Sequence, residues 1–346
     1  MKDAETQRLI ESLRKAHAIV LATHQAPDGD GLGCQLALRS VLQSQGASVR
    51  AFIEGPLPSK LLFLPGSACL EDWQRVPETE RVEIFARSDL ALVLDTHDWA
   101  LAGSLGERLR HAPFPTLFLD HHPAPAAFDR PELFSDPCAS STGELCWDLV
   151  RGLAPRIDPG AATCLYAAIA YDTNSFKYLR GRASAHRAAA DLMEAGADAE
   201  AVYRNMFASR SPRRIVQLAK LVEGVRHADD GRIAWLVIPR DATAACALSR
   251  EDLRDLVTFL VEMEGVEVAF TLQEEDGSVK LSLRSMGRVP VNGVARRLGG
   301  GGHLFAAAAQ WNATRDEAES TVLALVREAA LAAPPPRAGG SPGPCR

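Results

Sequence analysis

Histidine and aspartate recur where apolar runs end in this chain: His24, Asp28 and Asp30 in HQAPDGD, Asp95 in LVLDTHD, Asp120, His121 and His122 in LDHHP, and Asp172 in AAIAYDTNSF. Together they offer enough carboxylate oxygens and imidazole nitrogens for two divalent cations. The spacing His24-x-x-x-Asp28-x-Asp30 puts one imidazole and two carboxylates close together, where Pro27, Gly29 and Gly31 permit sharp turns. A carboxylate shared by two ions would hold them about 3.5–4 Å apart, a spacing that activates a shared water and stabilises both oxygens of an in-line displacement. Asp95 is the choice for that bridge. In LDHHP, three adjacent groups cannot all face one ion, and a workable division has His121 ligating metal, Asp120 orienting an imidazole and His122 facing substrate. The mixed donor set suits two Mn²⁺ ions, with Mg²⁺, Co²⁺ or Fe²⁺ as alternatives, better than a closed structural zinc. HQAPDGDG alone also reads as a solvated turn with Asp28 and Asp30 as helix caps. Four such segments in one chain outweigh that reading.

Carrying these groups requires strands with ligands at their C-termini. AIVLAT, LALVLD and TLFLD are short apolar runs of the kind found in buried parallel sheets, whose ligands bind at the carboxyl ends. A helix over residues 3–15 precedes AIVLAT, and a Gly-rich loop, GDGLG, leads into a helix through Gln35, Leu36, Val41 and Leu42 that stops near Gly46. SVRAFIEG continues the βαβ pattern. STGELCWDLVRGL reads as a helix capped by Ser141 or Thr142, and a second helix from about Asp158 to Tyr171 delivers Asp172. The stretch 183–225 is helical and more charged, and reads as a connection. Beyond it come strand IAWLVI, helix REDLRDLVTFLVEMEG, strand VEVAFTLQ, a hairpin turn at Asp276-Gly277, strand VKLSLRS, helix VNGVARRL, a glycine run and a final helix. The expected class is α/β: a parallel-sheet N-terminal domain joined by helices to a smaller mixed-sheet α/β C-terminal domain.

The 346 residues favour two domains, and 47% hydrophobic content allows each a core. A net charge of −6 argues against a long electropositive groove, and so against long nucleic acid duplexes as partners. No apolar run reaches the length of a membrane span or a secretory signal. The seven scattered cysteines lack a C-x-x-C pair and read as buried thiols. A cytoplasmic protein without a membrane partner is expected; a homodimer is left open.

In the C-terminal half, Gly299 to Gly302 before His303 could turn backbone N–H groups toward an anion, with a following helix adding its positive end. Arg284 in SLRS could pair with phosphate through two N–H groups. Asn292 could cap a helix starting at Gly293 or touch ligand.

HQAPDGDGLG, LVLDTHD, LDHHP and DTNSF, in this order, resemble the motifs of the DHH phosphoesterase superfamily, specifically its oligoribonuclease/phosphoadenosine-phosphate phosphatase type. LRS, VNGVARRLGGGGH and the following AAAA resemble the DHH-associated domain. The resemblance covers residues 15–330 and implies a DHH catalytic domain at 1–186, a helical linker at 187–228 and a DHH-associated substrate-binding domain at 229–332; the Pro/Gly-rich, aperiodic end PPPRAGGSPGPCR reads as a disordered tail at 333–346. It implies His24, Asp28 and Asp95 at one metal, and Asp30, Asp95, His121 and Asp172 at the other. His122, with Asp120, would assist at the phosphoryl or leaving group, while Arg284, Ser285, Asn292, Gly300, Gly301, Gly302 and His303 would bind substrate. Asn174 stands where many relatives have glycine, as does Ala308. The implied activity is hydrolysis of short oligoribonucleotides, linear dinucleotides or 3′-phosphoadenosine 5′-phosphate, with short RNA or a nucleotide as partner. The alternatives are an inorganic pyrophosphatase or exopolyphosphatase, and a non-catalytic nucleotide-binding protein.

Overall fold

The structure, a computed structural model, describes residues 3–123, 133–179, 182–245 and 250–334. The chain forms two units, one ending at Ser209 and the other beginning at Arg210.

The first unit contains strands β1 (Ala18–Thr23), β2 (Ser48–Ile53), β3 (Leu70–Asp72), β4 (Leu90–Leu94), β5 (Thr116–Asp120) and β6 (Leu133–Ser135), all parallel in the order β3-β2-β1-β4-β5-β6. Helices α1 (Asp3–Lys15), α2 (Gly29–Ser44), α3 (Glu78–Arg87), α4 (Gly103–Leu109), α5 (Thr142–Leu153), α6 (Pro159–Asp172), α7 (Ser184–Glu194) and α8 (Ala199–Met206) cover its two faces. Alternation along the strands sets this division. Ile19, Leu21, Leu92, Leu94 and Leu119 join the core made with α1, α2 and α5 to α8, while Val20, Ala22, Ala91, Val93 and Phe118 pack with Trp73, Trp99, α3 and α4. The chain runs outward from β1 to β3 and resumes on β1's other side with β4, so the order reverses between β1 and β4. In open α/β sheets the ligand crevice lies at such a reversal.

The glycines expected to form a loop after β1 lie inside α2, which begins at Gly29 with Asp28 as its cap. Their role is close approach. A Cβ on Gly31 would lie 2.1 Å from Thr23 Oγ1, and one on Gly33 2.3 Å from the Cys164 carbonyl oxygen. The helix therefore closes directly on β1 and α6.

The second unit has strands β7 (Arg226–Ala228), β8 (Ile233–Ile238), β9 (Val268–Glu275), β10 (Ser278–Ser285), β11 (Gly301–His303) and β12 (Ala306–Trp311), in the order β11-β12-β10-β9-β8-β7. Only β8 and β9 pair in parallel, and Gly277, at φ 70°, turns β9 into β10. Its helices are α9 (Pro212–Val222), α10 (Arg240–Ala245), α11 (Arg250–Val261), α12 (Asn292–Arg297) and α13 (Arg315–Ala332). Val279, Leu281 and Leu283 share a core with Val294, Val322 and Val326 of α12 and α13. Ala234, Leu236 and Ala269 on the other sheet face pack with Leu256, Val257 and Leu260 of α11 and are joined by Leu218 and Leu221 of α9.

The stretch expected to connect the domains is helical and is shared between the units. Leu192 of α7 and Val202 of α8 are buried in the first core, whereas α9 packs in the second. Strand β12 occupies the alanine run, and no helix follows the glycines directly. Cys69 is exposed and Cys138 half-buried, so those two are not buried thiols. The tail from residue 335 lies outside the described residues.

Candidate metal centre

The crevice between β1 and β4 gathers the sequence-predicted ligands. His24 follows β1, Asp28 and Asp30 begin α2, Asp95 follows β4, Asp120 ends β5, and Asp172 ends α6. His24 Nε2 lies 3.8 Å from Asp28 Oδ1 and 3.5 Å from Asp95 Oδ2. His121 Nε2 lies 3.1 Å from Asp172 Oδ2, 3.8 Å from Asp30 Oδ2 and 3.7 Å from Asp95 Oδ1. Asp95 thus turns one carboxylate oxygen toward each imidazole. Donor atoms of His24, Asp28 and Asp95 lie within 4.8 Å of one another, as do those of Asp30, His121 and Asp172.

The backbone is strained where these groups are presented. Asp95 has φ 63°, a left-handed conformation uncommon for non-glycine residues but tolerated by Asp and Asn. After Asp172, Asn174, Ser175 and Phe176 are all left-handed, at φ 49°, 58° and 65°. That turn is held by Thr173 Oγ1 accepting from the Phe176 amide at 2.9 Å and by the Ser175 amide donating to the Ala170 carbonyl at 2.7 Å. Asn at 174 meets the conformational demand that glycine would otherwise satisfy.

Two further residues secure the carboxylates, and the sequence marks neither for that role. Thr142 and Gly143, at the start of α5, donate their amides to Asp30 Oδ2 and Oδ1, each at 2.7 Å, and Thr142 Oγ1 donates to Asp95 Oδ1 at 2.9 Å. The helix terminus adds favourable positive potential. The only sequence signal was STGE, which reads equally as a plain cap: Ser141 does cap α5 by accepting from the Glu144 amide. His97, within the quoted LVLDTHD, places Nδ1 2.5 Å from Asp120 Oδ2.

Burial pushes the Asp30 carboxyl well above its ordinary range, reinforced by the charges of Asp95, Asp172 and Asp28. Burial also raises Asp95, against the hydrogen bond from His24. Burial alone would lower His24, but Asp28 and Asp95 raise it to about 12; His122, likewise opposed by burial, is raised to about 9 by Asp120. Asp120 goes the other way: burial would raise it, yet hydrogen bonds from His122 and His97 hold it below the usual carboxylate range. Four aspartates around His24 and His121 demand positive charge, and His24 retains its proton in response. Hard divalent cations suit the same oxygen and imidazole donors, so the residues fit the expected metals.

In the second unit, Arg284 and His303 both pair with Ala306, so strand register puts them on one sheet face; Ser282, Ala308 and Gly301 form the next row. Ser285 alternates to the opposite face and is 1% exposed. Asn292 does not cap α12; Val291 holds that position, without a side-chain cap bond. The glycine run is not an open cradle. The Gly299 amide donates to the Arg296 carbonyl and the Gly300 amide to the Ala295 carbonyl, closing α12, while Gly301 and Gly302 pair with β12.

Residues 18–169 match the DHH family, N-terminal domain, and residues 242–331 the DHHA1 domain. The chain belongs to the DHH phosphoesterase superfamily. Among its relatives is a bifunctional oligoribonuclease and PAP phosphatase, NrnA, of Thermus thermophilus, 29% identical over 330 residues that cover 94% of each chain. Another is the cyclic-di-AMP phosphodiesterase GdpP of Geobacillus thermodenitrificans, 30% identical over 92% of this chain; the alignment spans 49% of that longer protein, about half its length. In fold, the chain is similar to an exopolyphosphatase-related protein from Bacteroides fragilis, with TM-score 0.85, 24% identity and coverage of 94% of this chain and 96% of that one. No helix among the described residues is long and apolar enough to cross a membrane.

Proposed function

We propose that this protein is a metal-dependent phosphoesterase acting on short oligoribonucleotides, linear dinucleotides or 3′-phosphoadenosine 5′-phosphate. The observation that carries this reading is the buried Asp95 carboxylate, with one oxygen toward His24 and the other toward His121. His24, Asp28 and Asp95 would hold one cation, and Asp30, Asp95, His121 and Asp172 the other, with Mn²⁺ the best fit. Such cations supply an activated water and offset charge on the phosphoryl oxygens. Thr142 and the α5 amides keep the carboxylates aimed. Asp120 accepts from His122 Nδ1 at 2.7 Å, which leaves Nε2, the ring's other nitrogen, to approach the departing oxygen. Arg284 and His303, in one row of the second unit's sheet, offer a guanidinium and an imidazole suited to a phosphate that does not react. The substrate class is supported by the likeness to the oligoribonuclease and PAP phosphatase along nearly the full length of both chains.

The test strips the protein with chelator, restores Mn²⁺, and offers pAp, linear dinucleotides, an RNA ladder, a cyclic dinucleotide and pyrophosphate in competition. Hydrolysis should return with metal and fall as RNA exceeds a few nucleotides. Preference for pyrophosphate would favour the pyrophosphatase alternative, and binding without turnover would favour a non-catalytic nucleotide-binding protein.

A further inference from the structure

The loop leaving β4 returns His97 to the end of the neighbouring strand β5. There the wholly buried Asp120 carboxylate receives His97 Nδ1 on Oδ2 at 2.5 Å, and His122 Nδ1 and amide on Oδ1 at 2.7 and 3.1 Å. An ionised carboxylate only accepts, so both imidazoles carry hydrogen on Nδ1. For His122, whose side chain is 36% exposed, the other nitrogen is thereby directed away from Asp120. The loop is held independently: the Asp98 amide donates to Thr96 Oγ1 at 3.2 Å, and the Ala100 amide to Asp98 Oδ1 at 2.9 Å.

We propose that His97 is a positioning residue, which fixes the plane of the Asp120 carboxylate so that Oδ1 aims His122 at the leaving oxygen. A competing arrangement is close by, because donor atoms of Asp95, Asp120 and His122 lie within 4.8 Å of one another and could themselves chelate a cation. Hydrogen bonds from His97 to Oδ2 and from His122 to Oδ1 engage both Asp120 oxygens and so compete with that chelate. This inference rests on the proposed role of His122 in hydrolysis: the water oxygen bonds to phosphorus and releases its proton to solvent, the ester bond to phosphorus breaks with its electron pair leaving on the departing oxygen, and that oxygen takes a proton from His122 Nε2.

The experiment compares His97→Ala, His97→Asn and His122→Ala in the full chain with Mn²⁺. One substrate is a linear dinucleotide, whose alkoxide needs a proton to leave; the other is bis(p-nitrophenyl) phosphate, whose phenolate does not. His97→Ala should lower kcat on the dinucleotide by about 10- to 100-fold, barely affect the nitrophenyl ester and leave metal content intact. His97→Asn, whose amide can still donate to Asp120, should recover most of the loss. Should the alanine variant not fold, His97→Phe, which fills the ring's volume without a donor, replaces it. Equal losses on both substrates, or no recovery with Asn, would overturn the role of His97. If His122→Ala lacks leaving-group dependence, the reading of His122 fails and this inference with it. If His122→Ala shows that dependence and His97→Ala does not, only the His97 proposal falls.

Discussion

The crevice of the first unit and the sheet face of the second solve opposite problems. Around Asp95, the Asp30 and Asp120 carboxylates are buried too, backbone strain is tolerated, and hydrogen bonds from Thr142, Gly143 and His97 restrict four carboxylate oxygens. Around Arg284 the neighbours are Ala306, Ala308 and Ser282, presented on a regular ladder. Burial makes charge expensive unless it is matched, so the first arrangement stores a demand for cations. The second offers half-exposed polar groups, a suitable design for recognition without that penalty. If each region does what its chemistry suits it to do, mutation should separate hydrolysis from substrate binding.

The largest separation should come from Asp95→Asn. Asn tolerates the left-handed φ and can still accept from Thr142 Oγ1, so the fold should persist while the shared negative charge disappears. We expect kcat to fall by about 10³-fold or more on every substrate. Circular dichroism and metal analysis should accompany the kinetics; near-normal turnover with both metals bound would remove Asp95 from its bridging role.

Metal affinity should depend strongly on pH. In the metal-free site His24 is held protonated, its pKa raised to about 12, and a cation must displace that proton to use the imidazole. Affinity therefore rises with pH, by about tenfold per unit for each displaced proton, or about 100-fold between pH 6.5 and 8.5 for His24 alone. Chelator competition for Mn²⁺ across that window measures it. A flat profile would mean that His24 is already neutral or does not ligate.

Thr142→Val removes a hydroxyl from Asp95 while retaining the amide that reaches Asp30. Mn²⁺ affinity should drop by about 10- to 50-fold, with activity recovering at high metal concentration. A loss of kcat that saturating Mn²⁺ does not repair would show that Thr142 acts on the reaction itself.

The motifs exposed the candidate metal site because potential metal donors are few in type and stand at strand ends, which apolar runs mark. The supporting contacts were harder to see. Thr142 reaches Asp30 across more than a hundred positions, and nothing in STGE separates a helix cap from a hand on a distant carboxylate. Glycine is ambiguous in a sequence, because its missing side chain serves close packing as readily as turning. Gly31 and Gly33 admit neighbours into helix α2, and Gly300 approaches β12, where an added Cβ would lie 2.1 Å from the Ala308 carbonyl oxygen. The alanine run became a strand against its propensity because Ala307 and Ala309 complete a core and β10 supplies the ladder.

The smallest effect, and the most selective, should follow Arg284→Ala. Arg284 is on an outer row of the β10 ladder, on the face opposite Leu283, so its removal leaves the second core intact. Lost charge-assisted hydrogen bonds to a non-reacting phosphate amount to about 1.5 kcal/mol, or about tenfold in kcat/KM for pAp and dinucleotides. Bis(p-nitrophenyl) phosphate has no such phosphate and should be hydrolysed at nearly the original rate, with metal content unchanged. Arg284→Lys should recover only part of the loss, because an ammonium keeps the charge but not the planar pair of donors. Equal losses on nucleotide and nitrophenyl substrates would mean that this sheet face supports the catalytic groups, and the proposed separation of chemistry from grip would fail.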